Sequence, residues 1–227
     1  GDYSQVECTL HLLKEATKKL NYQYYHLLSE SDMPIKSQTD ILNFYKKNHG
    51  KEFIELQEFP KNKLFTTRFK SYNVFTKQLK AKNKFIRYST YIIRKTFAIL
   101  QLIVGYDYTK KFDLKIKYGS NWFSITDNLA RYIISKEELI KKMFLHGICV
   151  DEHFLQTLIC ASDFKSNLYK DGNMRYTVWE NNNNSPKNCT ENDYNQIINS
   201  EKLFARKFSE KVDMNIVNKI YNKVKEQ

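Results

Sequence analysis

Asp151 and Glu152 stand side by side at the mouth of an apolar run, in the stretch GICVDEHFLQTLICAS of residues 147–162. A carboxylate set over apolar neighbours can act as a general base, because partial loss of water raises its pKa toward the working range. A carboxylate in a first helical turn also has a plainer use, since the helix dipole and free backbone N–H groups attract negative charge there. With a helix starting near Asp151, that residue is its N-cap, and Phe154, Leu155, Leu158 and Ile159 share one apolar face. Asp151 then needs no chemistry, and Glu152 alone decides nothing. A second pair of chemistry-bearing residues is Arg206 and Lys207 in LFARKF. On residue type alone, adjacent cations of this kind read as solvated charge at a helix end.

The elements that must position these groups are bounded first by composition. The chain has 227 residues, 41% hydrophobic and 15% aromatic, which is the make-up of a folded protein with a sizeable core. No apolar run approaches the roughly 20 residues of a membrane-spanning helix, and GDYSQVECTL has no signal-peptide pattern. Cysteines at 8, 149, 160 and 189 form no Cys-x-x-Cys pair, which argues for reduced thiols and a cytosolic setting. Neither they nor the five histidines show a metal-ligand rhythm, and no Asp-x-Asp tripeptide occurs. The net charge of +12 is concentrated, for residues 61–117 hold 15 Lys and Arg against 2 Asp, and the remainder is close to neutral. A basic protein of this kind can bind nucleic acid, but charge confined to one insertion-like region weakens that reading.

Along the chain, SQVE (Ser4 to Glu7) has the form of a capping box, with Val6, Leu10 and Leu13 following at helical spacing. YQYYHLLSES reads as a strand running into a loop, SESDMPIKS, closed by Pro34. SQTDILNFYKKNHG reads as a helix ended by Gly50, and KEFIELQEF as a strand in which Phe53 and Ile54 face opposite ways. The strand YGSNWFSIT, helices over 127–145, the Asp-Glu helix and the strand MRYTVWE come next, and NNNNSPKN is a loop on composition. TENDYNQIINS reads as helical, and MNIVNKIYNKVKE is the closing helix. Strands alternating with helices, without internal repeat, predict one α/β domain over residues 1–227.

Six segments, in order from residue 1 to about residue 210, resemble the core-2/I-branching glycosyltransferases, the family that includes the protein xylosyltransferases. They are GDYSQVECTLHLLKEA, HLLSESDMPIKS, YGSNWFSIT, VDEHFLQTLI, MRYTVWE with SPK, and LFARKF. The resemblance implies a GT-A-like fold, a mixed sheet flanked by helices, and inverting transfer from a UDP-sugar, with UDP-N-acetylglucosamine the leading donor. It gives Glu152 the role of general base. It gives Lys207, with Arg206 adjacent and Lys187 in SPK, the donor diphosphate, without a metal or other cofactor. Trp179, Glu55, Lys63, Arg68, Trp122 and Ser120 fall on its acceptor side, where an aromatic face can stack on a sugar ring. Asp32 matches a turn of the family in which Glu30 replaces a glycine. The resemblance also implies that this chain starts inside the family domain and lacks the first nucleotide-binding strands, so that activity belongs to a longer parent.

Two other readings stay open beside this one. The first is a basic nucleic-acid-binding protein that uses residues 61–117, and the second is a non-catalytic glycan- or nucleotide-binding remnant. The basic region has a further reading of its own. As a helix, NKFIRYSTYIIRKTFAILQLIVG places Lys84, Arg87, Arg94 and Lys95 among Phe85, Tyr88, Tyr91, Ile92 and Phe97. Such a helix can lie at the inner face of an anionic membrane, as would suit a bacterial enzyme with a lipid-linked acceptor. The alternative is a helix that covers part of the core and keeps its basic side in water.

Overall fold

The computed structural model describes residues 1–76, 78, 81–180 and 185–225. It is a mixed α/β structure, as the alternating pattern predicts. Helix α1 (Ser4–Thr17) buries Val6, Leu10 and Leu13, and strand β1 (Tyr24–His26) follows. Ser4 is the first helical residue and not the cap, because its N–H and hydroxyl both go to Asp2 Oδ1. Strand β2 (Asp32–Pro34) lies within the stretch read as a loop. Helix α2 (Gln38–Lys47) starts on the Ser37 hydroxyl, which accepts from the Asp40 N–H, and Gly50 just beyond it has a φ of +79°. Strand β3 (Phe53–Ile54) is two residues long.

The basic region carries the short helix α3 (Thr67–Lys70) and the twenty-residue helix α4 (Lys84–Ile103). Strand β4 (Phe123–Thr126) leads into α5 (Asp127–Ser135) and α6 (Glu137–Phe144). A 3-10 turn over Val150–Glu152 precedes α7 (Phe154–Cys160). Strand β5 (Arg175–Thr177), helix α8 (Tyr194–Asn199), strand β6 (Phe204–Arg206) and helix α9 (Met214–Lys225) complete the order. Of the asparagine loop, residues 181–184 lie outside the described residues, as does Glu226 of the closing helix.

The described strands form two small sheets of three strands each, in the orders β1-β4-β3 and β2-β6-β5, flanked by helices as expected. The first is antiparallel, whereas in the second β2 is antiparallel and β5 parallel to β6. Phe53 and Ile54 do face opposite ways. Ile54 joins the main core of α1, β4, α5, α6 and α7, and Phe53 joins an aromatic cluster with Tyr24, Tyr45 and Phe204 between the sheets. Arg175 stitches the sheets together, its Nη1 donating to Ser124 Oγ at 2.9 Å and its Nη2 to the Phe123 carbonyl at 2.5 Å. Buried Glu52 fixes the start of α5, since its carboxylate accepts both the Thr126 N–H and the Thr126 hydroxyl. All four cysteines are free thiols.

Candidate active site

Register decides where the cations go. Pairing of β2 with β6 sets Asp32 opposite Arg206, and pairing of β5 with β6 sets Thr177 on its other side. The result is an ion pair between Arg206 Nε and Asp32 Oδ1 at 3.3 Å, almost wholly out of water, with the guanidinium also 3.9 Å over the Trp122 ring. Burial pushes the Arg206 pKa down and Asp32 works against that shift. Its Nη1 is buried with no hydrogen-bond partner among the described residues. Arg206 is therefore a strand residue, not solvated charge at a helix end. Lys207 follows it, with Nζ donating to Ser185 Oγ at 2.6 Å.

Glu152 reaches the same space from another part of the chain. Cys149 takes a left-handed conformation, φ +50°, and the chain turns through Val150–Glu152 before α7 begins at Phe154. Asp151 is therefore not the N-cap of α7. Its side chain is buried, accepts from Asn121 Nδ2 at 3.3 Å, and leaves Oδ1 with no hydrogen-bond partner among the described residues. The Glu152 carbonyl accepts the Gly119 N–H at 3.0 Å. Only glycine fits at 119, because an added Cβ would sit 1.9 Å from the Glu55 carbonyl oxygen. His153, fully buried among Phe59, Phe65, Phe69 and Tyr118, donates from Nδ1 to the Lys117 carbonyl at 2.9 Å. Burial drops its pKa to about 4, so it is a neutral anchor for its neighbour Glu152 at neutral pH.

The Glu152 carboxylate accepts from Arg68 Nη1 at 3.2 Å and is one-third exposed. Burial raises its pKa first, and the charge of Asp151 raises it further, while Arg68 pulls it back. Replacing Arg68 with Met removes one of the two charges that lower it, the other being the N-terminal ammonium. The Glu152 titration midpoint should then move to higher pH, read from its carboxyl carbon shift by NMR. An unmoved midpoint would mean that Arg68 does not govern the ionisation of Glu152.

One cleft of about 430 Å³ collects these groups: Glu152 and Glu55, Ser120 and Trp122, Trp179, Arg206 and Lys207 all line it. Trp179 is 60% exposed, which removes the reading of it as a core residue. Three predicted site residues are not part of this lining. Arg68 touches the cleft only through Glu152, and Lys63 sits on the 3-10 turn Lys63–Thr66 before α3. Lys187 is paired with Asp193 Oδ1 at 3.0 Å. Arg175, which the sequence reading did not single out, also lines the cleft. An arginine opening an otherwise apolar strand, MRYTV, was the available signal. The cleft adjoins a hollow of about 680 Å³ that shares Glu55, Asn173, Arg175 and Thr177 with it and adds Tyr169, Tyr176 and Lys202. No group of three or more His, Cys, Asp or Glu among the described residues is arranged to hold a metal ion.

A cleft that gathers a half-buried carboxylate and two cations suits transfer to a hydroxyl from an anionic leaving group. The family model for the Core-2/I-Branching enzyme matches residues 1–211. The protein named Xylosyltransferase sqv-6, from Caenorhabditis elegans, is 27% identical over 185 residues, covering 79% of this chain and 20% of that relative. The chain thus spans about a fifth of the relative's length.

Proposed function

The chain belongs to the Core-2/I-Branching enzyme family of glycosyltransferases, and from that premise we propose that its cleft moves a sugar from a UDP-sugar to a hydroxyl of a glycan or glycolipid acceptor, with inversion. The observation that carries this reading is the meeting of Glu152 with Arg206 and Lys207 in one cleft. Glu152 takes the proton of the acceptor hydroxyl, the freed oxygen attacks the anomeric carbon, and the bond from that carbon to the diphosphate breaks. Negative charge grows on the leaving UDP as this happens. Lys207, whose Nζ is held by Ser185, is a fixed cation that stabilises it there, with the buried Arg206 beside it. Trp179 offers an exposed ring for an acceptor sugar, and Ser120, Trp122 and Glu55 offer the polar and aromatic wall beside it.

N-acetylglucosamine is the leading donor sugar. The name of the worm relative favours xylose as the second candidate. The experiment is a transfer assay, on a protein of full family length that contains this chain, with UDP-N-acetylglucosamine and UDP-xylose in parallel, with and without excess EDTA. Transfer should survive chelation, and Lys207→Ala should weaken UDP binding roughly tenfold or more, as loss of a charge-assisted contact does, with transfer falling in step. Activity abolished by EDTA and restored by Mn²⁺ would overturn the metal-free assignment. Activity with neither donor would overturn the substrate class.

A further inference from the structure

The twenty residues of α4 pack against the rest of the molecule with their polar strip and turn their apolar arc outward. At about 100° per residue, Thr90, Arg94, Ala98 and Gln101 share one side, and Thr90, Ala98 and Gln101 are the residues that this helix buries. Gln101 holds the backbone of Tyr72 from both ends of its amide: Nε2 donates to the Tyr72 carbonyl and Oε1 accepts the Tyr72 N–H at 2.8 Å. Arg94 Nη1 donates to Asn73 Oδ1 at 3.2 Å. The opposite side carries Phe85, Ile92 and Ile103 in one row and Ile86, Ile93 and Leu100 in the next, all exposed, with Phe85 at 79% and Ile103 at 74%. Ser89 and exposed Thr96 fall within this arc, and the Ser89 hydroxyl is already satisfied by the Phe85 carbonyl at 2.9 Å. An ordinary surface helix does the reverse, burying its apolar stripe and solvating its polar face. A contiguous apolar surface of this kind on a folded protein marks an interaction site.

We propose that α4 is an in-plane anchor, which seats its Phe85–Ile103 arc in the acyl boundary of an anionic lipid bilayer. Charge selects this occupant. Lys84 and Lys95 are exposed along one border of the arc beside Tyr88 and Tyr91, with exposed Arg87 further round the helix and Lys95 Nζ 5.7 Å from the Tyr91 ring centroid. Cations and tyrosines at the border of an apolar arc match the headgroup layer, where ammonium and guanidinium groups meet phosphates and phenols span the polar boundary. The acidic residues of 61–117 are Asp107 and Asp113, and Asp107 is already paired with Lys70 at 3.0 Å. No described helix is long and apolar enough to cross a membrane, which leaves the interface plane. A nucleic acid would use the border cations and gain nothing from rows of isoleucine. This inference is independent of the reaction assigned to the cleft.

The test is co-sedimentation of the protein with vesicles of phosphatidylcholine alone, or with roughly a third of phosphatidylglycerol added, beside a duplex DNA arm and sedimentation velocity. Binding to the anionic vesicles should exceed binding to neutral ones by about tenfold. It should be lost both in Phe85→Ser/Ile92→Ser/Ile103→Ser and in Lys84→Glu/Arg87→Glu/Lys95→Glu. All substituted residues are exposed, so circular dichroism should match the parent in each case. Four outcomes would each overturn the proposal. They are equal negligible binding to both vesicles, binding that survives the serine variant, binding to DNA but not to vesicles, and a self-association that the serine variant abolishes while vesicles bind nothing.

Discussion

Glu152→Gln should lower glycosyl transfer by roughly 10²–10⁴-fold while leaving UDP affinity within a factor of two or so. Glutamine keeps the size of the side chain and can still contact Arg68, but it cannot accept the acceptor's proton. The surroundings make the comparison clean. The backbone of Glu152 is held by Gly119, and its neighbour His153 is locked in an aromatic cage, so the substitution alters a charge and not a fold. The raised pKa of Glu152 adds a pH signature: the base is lost as pH falls, and the acid limb of kcat/KM should lie above the ordinary carboxylate range. Parallel calorimetry with UDP separates the effects. Turnover above half of the parent value would show that some other group takes the proton.

Arg206→Leu should lower the free energy of unfolding by about 3–5 kcal/mol, the cost of stranding a buried charge. Asp32 is wholly out of solvent and faces Arg206 across the β2–β6 ladder, so its carboxylate loses its counter-charge in place. The remaining Ser29 N–H, 2.7 Å from Asp32 Oδ2, offsets only part of that cost. The double variant Asp32→Asn/Arg206→Leu should recover a sizeable share, because both charges are then gone. Urea denaturation of the three proteins reads the coupling directly. A single-variant loss under about 0.5 kcal/mol, the scale of an exposed pair, would mean that the ion pair does not stabilise the sheet.

The helices were legible because each carries its own periodicity. Val6, Leu10 and Leu13 define α1, and the paired helices over 127–145 appear where their apolar spacing puts them. Strand β2 was not legible, since three residues ending in Pro34 have no local strand signal and exist as a strand only through β6. The N-cap reading of Asp151 failed for a similar reason. The left-handed backbone at Cys149 inserts a 3-10 turn that side-chain pattern does not encode. Glu152, Arg206 and Lys207 were recognisable through family motifs, and the cleft brings them together. Arg175 and His153 owe their places to long-range partners, Phe123, Ser124 and Lys117, that no spacing along the chain announces. For α4 the periodicity was plain and its orientation was not, because one pattern serves a core or a membrane until packing chooses the face.

The central claim is a single displacement assisted by one base, and the anomeric configuration of the first-formed product tests it most directly. Proton NMR on the purified transfer product, a glycoside whose configuration is fixed once formed, reads that configuration from the coupling at the new anomeric centre. UDP-sugars of this class carry an α linkage, and attack by a hydroxyl deprotonated by Glu152 must give the β product. An α product would contradict the account. It would mean retention, by two displacements or by attack on the face the UDP leaves, and would move attention to Glu55, the second glutamate of the cleft.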